Sequence, residues 1–200
     1  MHRENPRTNP ERRVKGRLFV LSGPSGVGKG TLREHALSDI SGLVYSISCT
    51  TRQPRPGETD GVEYRFISHE KFQQDIADNL FLEYAHVHND YYGTLRRDVE
   101  NALNSGHDVL LEIDVQGALQ VREKMPEALL IFIAPPSVQE LERRLINRCT
   151  ESPDAVRTRL HNAIKELELQ DKYNYVIVNS DLETASRELR AIITSHDELG

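Results

Sequence analysis

The stretch "LFVLSGPSGVGKGTL", residues 18–32, constrains this chain more than any other. The apolar run "RLFVLS" stops at Gly23 and Pro24 and reads as a buried strand. "KGTLREHALSDI" reads as the helix that follows. Between them, Gly23-Pro24-Ser25-Gly26-Val27-Gly28-Lys29 has the spacing of a P-loop, in the strand–loop–helix setting that motif requires. Glycines let backbone N–H groups turn inward around phosphate oxygens, and the helix N-terminus adds a favourable dipole. Lys29 places a point charge near the β- and γ-phosphates of a nucleoside triphosphate. A structural glycine turn imitates part of this pattern, but not lysine, spacing and setting together. Gly30 is the departure, because the motif ordinarily supplies a hydroxyl there for Mg²⁺. Thr31 stands next and can take that part, directly or through a bound water. The expected donor site therefore runs from Gly23 through Gly30 to Thr31, binds ATP with Mg²⁺, and has Thr31 on the metal side.

Around this loop, apolar runs alternate with helical patterns. "YSISCT" (45–50) and "VEYRFI" (62–67) read as strands around the loop "RQPRPGETDG". "HEKFQQDIAD" reads as a short helix and "FLEYAHV" as a further strand. "DVLLEID" (108–114) and "ALLIFIA" (128–134) are continuous apolar runs, as parallel strands buried on both faces require. "SVQELERRLINR" opens with Ser137 and Glu140 at capping-box spacing. "SPDAVRTRLHNAIKELELQ" opens with a serine cap and a proline in the first turn. "YVIVNS" is the last strand and "DLETASRELRAIITSH" a closing amphipathic helix. The expected fold class is α/β: a P-loop-type parallel sheet flanked by helices, with an inserted mixed α/β lobe and a helical lid.

Two hundred residues suit one domain with an insertion, and 38% hydrophobic residues suffice for a core. A net charge of −6 argues against a dedicated nucleic-acid binder. Cys49 and Cys149 form no CxxC and read as free thiols of a reducing cytosol. His86 and His88 read as a surface pair rather than a metal site. No run approaches the apolar length of a membrane span. Residues 1–16 are polar, with two prolines and no apolar core, and read as a disordered arm rather than a secretory signal. The domain is expected over 17–200, its core at 17–44 and 95–200, the lobe near 45–94 and the lid near 144–160.

The acceptor of the phosphoryl group is expected in the inserted lobe. Arg52 and Arg55 stand in a loop stiffened by Pro54 and Pro56. Exposed loop arginines usually serve solubility, but a pair held by prolines also suits a bidentate phosphate clamp. The hydroxyls of Tyr64 and Tyr92 can donate to the same phosphate. Glu83, from spacing alone, reads as an outward-facing charge. Glu112, at the end of a buried strand, is a candidate for ordering Mg²⁺ and its waters.

"GKGT" resembles the nucleoside monophosphate kinases at large. "SCTTRQPRPGE", "DGVEYRF", "LEYAHV", "NDYYGT", "LEIDVQGA", "FIAPPS" and "VIVN" add an order and spacing similar to the guanylate kinase family from about Arg17 onward. The resemblance implies that Arg52, Arg55, Tyr64 and Tyr92 hold the GMP phosphate. It implies that Glu83 faces the guanine edge, with Ser48, Thr94 and Asp114 completing the base pocket. Arg148 and Arg159 resemble the family's lid arginines, with Arg144 a weaker candidate, and Asn179 resembles a residue near the adenine. Lys29, Arg52, Arg148 and Arg159 are then the catalytic cations. Cys149 stands where relatives commonly have glycine, and Thr94 replaces a frequent serine.

What the resemblance implies is Mg-ATP-dependent phosphorylation of GMP, and of dGMP, in a cytoplasmic enzyme of GTP supply. Its partners would be small molecules, with no nucleic acid or membrane, and it would be a monomer or a homo-oligomer. Three rivals share parts of the pattern. A peptide-binding relative without catalysis has no use for Lys29 and the lid arginines. A sugar-phosphate kinase has no use for Glu83, Thr94 and Asp114. An adenylate kinase lacks the arginine–proline acceptor loop.

Overall fold

The computed structural model describes residues 15–87, 89–148 and 153–195; of Arg148, Pro153 and Ala155 it describes the backbone alone. Most of the expected arm, His88, Cys149 and the capping Ser152 lie outside the described residues. Gly16, assigned to the arm from sequence, is already seated on the domain, its N–H donating to the Leu103 carbonyl at 2.9 Å.

The chain runs through β1 (Leu18–Ser22), α1 (Lys29–Leu37), β2 (Leu43–Tyr45), β3 (Cys49–Thr50), β4 (Arg65–Phe66) and α2 (His69–Ala77). It continues through β5 (Phe81–Val87), β6 (Asp90–Leu95), α3 (Arg96–Asn104), β7 (Asp108–Glu112) and α4 (Val115–Lys124). It ends with β8 (Leu129–Ala134), α5 (Val138–Arg148), α6 (Pro153–Leu167), β9 (Tyr175–Val178) and α7 (Leu182–Thr194).

The larger sheet is parallel throughout, in the order β2-β7-β1-β8-β9. Its central strands β1, β7 and β8 alternate between two cores, which is why their buried stretches are continuously apolar. Leu18, Val20, Leu111 and Phe132 face α3 and α4 through Val99, Val115 and Val121. Phe19, Leu21, Leu110 and Ile133 face α1 and α7 through Leu32, Ala36, Leu189 and Ile193. Each such side chain, buried fully, contributes about 1.5–3 kcal/mol. β1 sits at the centre, and ligands of such sheets lie beyond the carboxyl ends of the strands, where the connections diverge. The phosphate-type loop after β1 and the acids after β7 occupy that edge.

The smaller sheet is mixed, in the order β4-β3-β6-β5. Cys49, Phe72 and Phe81 form its own core, with Phe72 stacked on Phe81 at 4.4 Å between ring centroids. The structure departs from two expected strands. "YSISCT" does not make one strand: β2 ends at Tyr45 in the large sheet, and β3 begins at Cys49 in the small one. Ser46 N–H still bonds Leu110 in the large sheet, whereas the Ser48 carbonyl already accepts from Arg65 in the small one. "VEYRFI" keeps only Arg65–Phe66 as strand. The left-handed Gly61 closes a turn by bonding the Tyr64 carbonyl at 2.8 Å, and Val62 N–H bonds Thr59, so these backbone groups are used locally.

Helices α5 and α6 pair through Leu141, Leu145 and Ala163. Ser137 caps α5 by accepting from Glu140 N–H at 3.1 Å. The Glu140 carboxylate does not complete the capping box. Arg143 and Arg144 bond it instead and hold it down to about 2. Among the described residues no helix is long and apolar enough to cross a membrane.

Candidate active site

The loop after β1 turns through Gly23, Gly26 and Gly28, at φ of 143°, 85° and 94°. At Gly23 a side chain is excluded twice over, since a Cβ would stand 2.3 Å from the Ile133 carbonyl oxygen. No side chain caps α1, and its first turn holds no acid, among the described residues. Its N-terminal N–H groups and positive dipole end are therefore left for an anion. Lys29 Nζ folds back over the loop, donating to the carbonyls of Gly23 at 2.6 Å and Pro24 at 3.2 Å.

Three groups that hold this loop were not singled out for that part. The buried Asn179, expected from the resemblance near adenine, donates its Nδ2 to the Val27 carbonyl at 2.8 Å. Arg144 donates to the Val27 carbonyl at 3.3 Å and to the Asn179 carbonyl at 3.1 Å. Glu166 of α6 faces the loop; burial raises its carboxyl above the usual range, against the pull of Lys29 and of the Ser25 backbone. Nothing in local spacing separates Glu166 from its charged helical neighbours. Arg159 is half-buried on α6, and the side chain of Arg148 lies outside the described residues.

At the end of β7, Glu112 faces α1. A Cβ on Gly30 would lie 3.6 Å from its Oε1, ordinary contact, so packing does not demand glycine there. Arg33, another residue missed from sequence, bridges Glu112 at 3.4 Å and lies over the Tyr45 ring. Asp114 caps α4, accepting Gly117 N–H at 2.7 Å.

The second half of the site is built by the small sheet. Arg52 presents its guanidinium fork to Glu58, with two bonds of 2.9 Å, and lies over the Tyr64 ring at 5.4 Å. Tyr92 lies beside Arg52 and, after Glu58, helps to raise its pKa, and its ring meets that of Tyr64 at 5.8 Å. Glu58 further accepts Arg55 N–H at 2.7 Å, which fixes the loop between the prolines. Arg52, Tyr64 and Tyr92 thus lie together, while the Arg55 side chain is exposed.

Glu83 is not the outward-facing charge that spacing suggests. It is 3% exposed. A β-bulge between Phe81 and Glu83 breaks the alternation, so Phe81, Leu82 and Glu83 are all buried. Thr94, opposite on β6, donates its hydroxyl to Glu83 Oε1 at 2.5 Å, and Ser48 lies 3.3 Å from that hydroxyl. Burial pushes the Glu83 carboxyl up to about 7, against the Thr94 hydrogen bond, with Asp114 adding to the rise and Lys124 opposing it. A cavity of about 470 Å³ joins the two halves, lined by Gly30, Arg33 and Glu112 on one side and Ser46, Ser48 and Tyr64 on the other.

A cleft between the helix turn that follows a P-loop and a separate polar lobe, on a parallel α/β sheet, is the arrangement of a phosphotransferase-type site. The guanylate kinase family model matches residues 15–196. A guanylate kinase of Oceanobacillus iheyensis is 52% identical over 181 residues, covering 90% of this chain and 88% of the relative. One from Clostridium perfringens is 48% identical over 179 residues, covering 90% and 83%. The crystal structure of guanylate kinase from Anaplasma phagocytophilum superposes with a TM-score of 0.73 at 34% identity, covering 92% of this chain and 87% of that one. The chain belongs to the guanylate kinase family.

Proposed function

We propose that this chain transfers the γ-phosphoryl group of ATP to GMP, giving ADP and GDP. The observation that carries the reading is the cleft itself. The first turn of α1, directly after the P-loop, and Ser48, which leads through Thr94 to Glu83, line one space, so donor and acceptor phosphates meet without an intervening carrier. Residues 45–94 act as the acceptor lobe and 144–160 as the lid.

Gly23 to Thr31 cradle the ATP phosphates, with Lys29 on the β- and γ-groups. Arg148 and Arg159 meet the charge that spreads over the transferred oxygens. Arg52, Arg55, Tyr64 and Tyr92 hold the GMP phosphate. Glu83 accepts from guanine N1–H and N2–H₂, with Ser48, Thr94 and Asp114 around it. Mg²⁺ fits the hard oxygen donors near the loop, the Thr31 hydroxyl and the Glu112 carboxylate. With so few protein ligands it would keep several waters and bind phosphate oxygens. When bound it would neutralise charge on the β- and γ-phosphates. The attacking atom is a GMP phosphate oxygen, so no side-chain nucleophile is required. The protein aligns the two phosphates and excludes water.

ADP formation from Mg-ATP tests this with GMP, dGMP, AMP, UMP or no acceptor. Turnover with GMP and dGMP, and background with AMP and UMP, is expected. No turnover from folded protein would overturn the reading. Replacing Arg52 by alanine should lower kcat/KM for GMP about a hundredfold, and lysine should not restore it, because a point charge cannot reproduce the planar fork. Full activity of Arg52→Lys would remove Arg52 from the bidentate role.

A further inference from the structure

Gly117 occupies the third position of α4, inside a helix where glycine is disfavoured relative to alanine. Its surroundings explain why alanine is absent. A Cβ there would stand 2.4 Å from Glu83 Oε2 and 3.1 Å from Glu83 Cδ. Its N–H is the group that Asp114 Oδ1 binds at 2.7 Å. The one residue therefore touches both carboxylates of the base pocket.

The helix cannot yield to a larger side chain, because α4 is tied to β5 on both sides of Glu83. Gln120 exchanges two hydrogen bonds with the Tyr84 backbone, at 3.2 and 2.7 Å. Lys124 donates to the Leu82 carbonyl at 2.6 Å. Gly117, Gln120 and Lys124 lie one helical turn apart and form the stripe laid along the strand. With the backbones of Leu82 and Tyr84 fixed, the party that must move most is the Glu83 carboxylate, since the other near side chain, Ile113, would lie 3.3 Å away. Its other oxygen is held by Thr94, so displacement breaks the alignment that a base edge would read.

We infer that Gly117 is a specificity-determining positioning residue, whose missing side chain seats the Glu83 carboxylate against the guanine edge and whose N–H orients Asp114. The inference rests on the GMP reading above. It assigns base selection to a helix of the large sheet as well as to the inserted lobe.

Steady-state kinetics of Gly117→Ala test it, with thermal melting alongside. The KM for GMP should rise about tenfold or more and discrimination against AMP should narrow, as a displaced polar contact to a base requires. The kcat at saturating GMP and the KM for ATP should change by less than about threefold, since the donor site is untouched. The melting temperature should fall only modestly, because alanine's helix preference offsets part of the cost of displacing Glu83. In Gly117→Ala, shortening the acid by Glu83→Asp should relieve the clash, so the two KM effects should be less than multiplicative. Unchanged GMP kinetics, multiplicative effects, or a strongly lowered melting temperature with a parallel rise in the KM for ATP would each overturn the inference. A parent without GMP-dependent turnover would remove the functional reading instead, and this inference with it.

Discussion

Replacing Lys29 by methionine is expected to lower kcat about a thousandfold, the scale of removing one fixed charge-stabilising donor from a transition state. Methionine keeps the length and apolar stem of the side chain and removes only the ammonium. In the structure that ammonium donates to two carbonyls of its own loop, Gly23 and Pro24, so it already lies where phosphate oxygens would arrive. Binding a triphosphate exchanges these neutral acceptors for anionic ones, which strengthens as charge accumulates on the transferred group. The loop is also held by Asn179 and Arg144 through Val27, so losing two Lys29 bonds should leave the fold intact. Unfolding midpoints should therefore agree with the parent, and the KM for GMP should move little. Stopped-assay rates with saturating Mg-ATP and GMP decide it. A variant within tenfold of the parent would remove Lys29 from transition-state stabilisation.

The order of strands and helices was legible because both periodicities are strong. Leu18–Leu21 of β1, Val109–Leu111 of β7 and all of β8 are apolar runs, as strands covered on both faces must be. The donor loop was legible because its chemistry is local: glycines, lysine and helix start lie within one turn. Errors fell where tertiary context overrides local pattern. "YSISCT" satisfies strand propensity throughout, yet its ends belong to different sheets, and nothing in composition marks the switch. "VEYRFI" alternates, but Gly61 commits Val62 and Tyr64 to a turn. Glu83 shows the same limit at the site. Its charge suggests an outward side chain, yet it is buried, and the bulge after Phe81 turns it to the face opposite Phe81, beside Thr94. Its pairing with Thr94 spans eleven positions, beyond any local spacing rule. Glu58 was visible as part of the arginine–proline loop, but its bond to Arg52 depends on how that loop folds back. Arg33 and Glu166 carry ordinary helical charges in sequence, and Arg144, a weaker lid candidate by resemblance, is aimed at Val27 and Asn179 only by packing. Gly117 left one faint signal, a glycine inside a helical pattern, which regularly has a packing or functional reason.

Glu83→Gln should separate base recognition from stability, because the two respond to the same buried charge in opposite directions. Guanine presents N1–H and N2–H₂, so recognition needs the ionised carboxylate, and an amide offers a single acceptor. At pH 8 the variant should raise the KM for GMP about a hundredfold, the scale of leaving buried donors unpaired. In the parent the Glu83 carboxyl is pushed up to about 7 from an ordinary 4.5. Below neutrality the competent form is depleted, so the KM for GMP should climb about tenfold per pH unit. The GMP phosphate titrates in the same range, but it does so equally in the variant, so the difference between the two profiles belongs to Glu83. Stability runs the other way. The folded chain holds its proton more tightly than the unfolded one, so this group's contribution is intact below about pH 4.5 and is lost as pH rises through 7. The full penalty at pH 8 is on the order of 3 kcal/mol, and the residue is 3% exposed, so solvent does little to reduce it. Glutamine carries no such penalty. The variant should melt above the parent at pH 8 and match it near pH 4.5, while the Thr94 hydroxyl still finds an acceptor in the amide oxygen. A variant that melts lower at pH 8 would mean that the ionised carboxylate stabilises the empty site. Equal GMP profiles in parent and variant would place guanine recognition elsewhere. The expected pairing, weaker binding with higher stability, is what a charge kept for its ligand at the expense of the fold must produce.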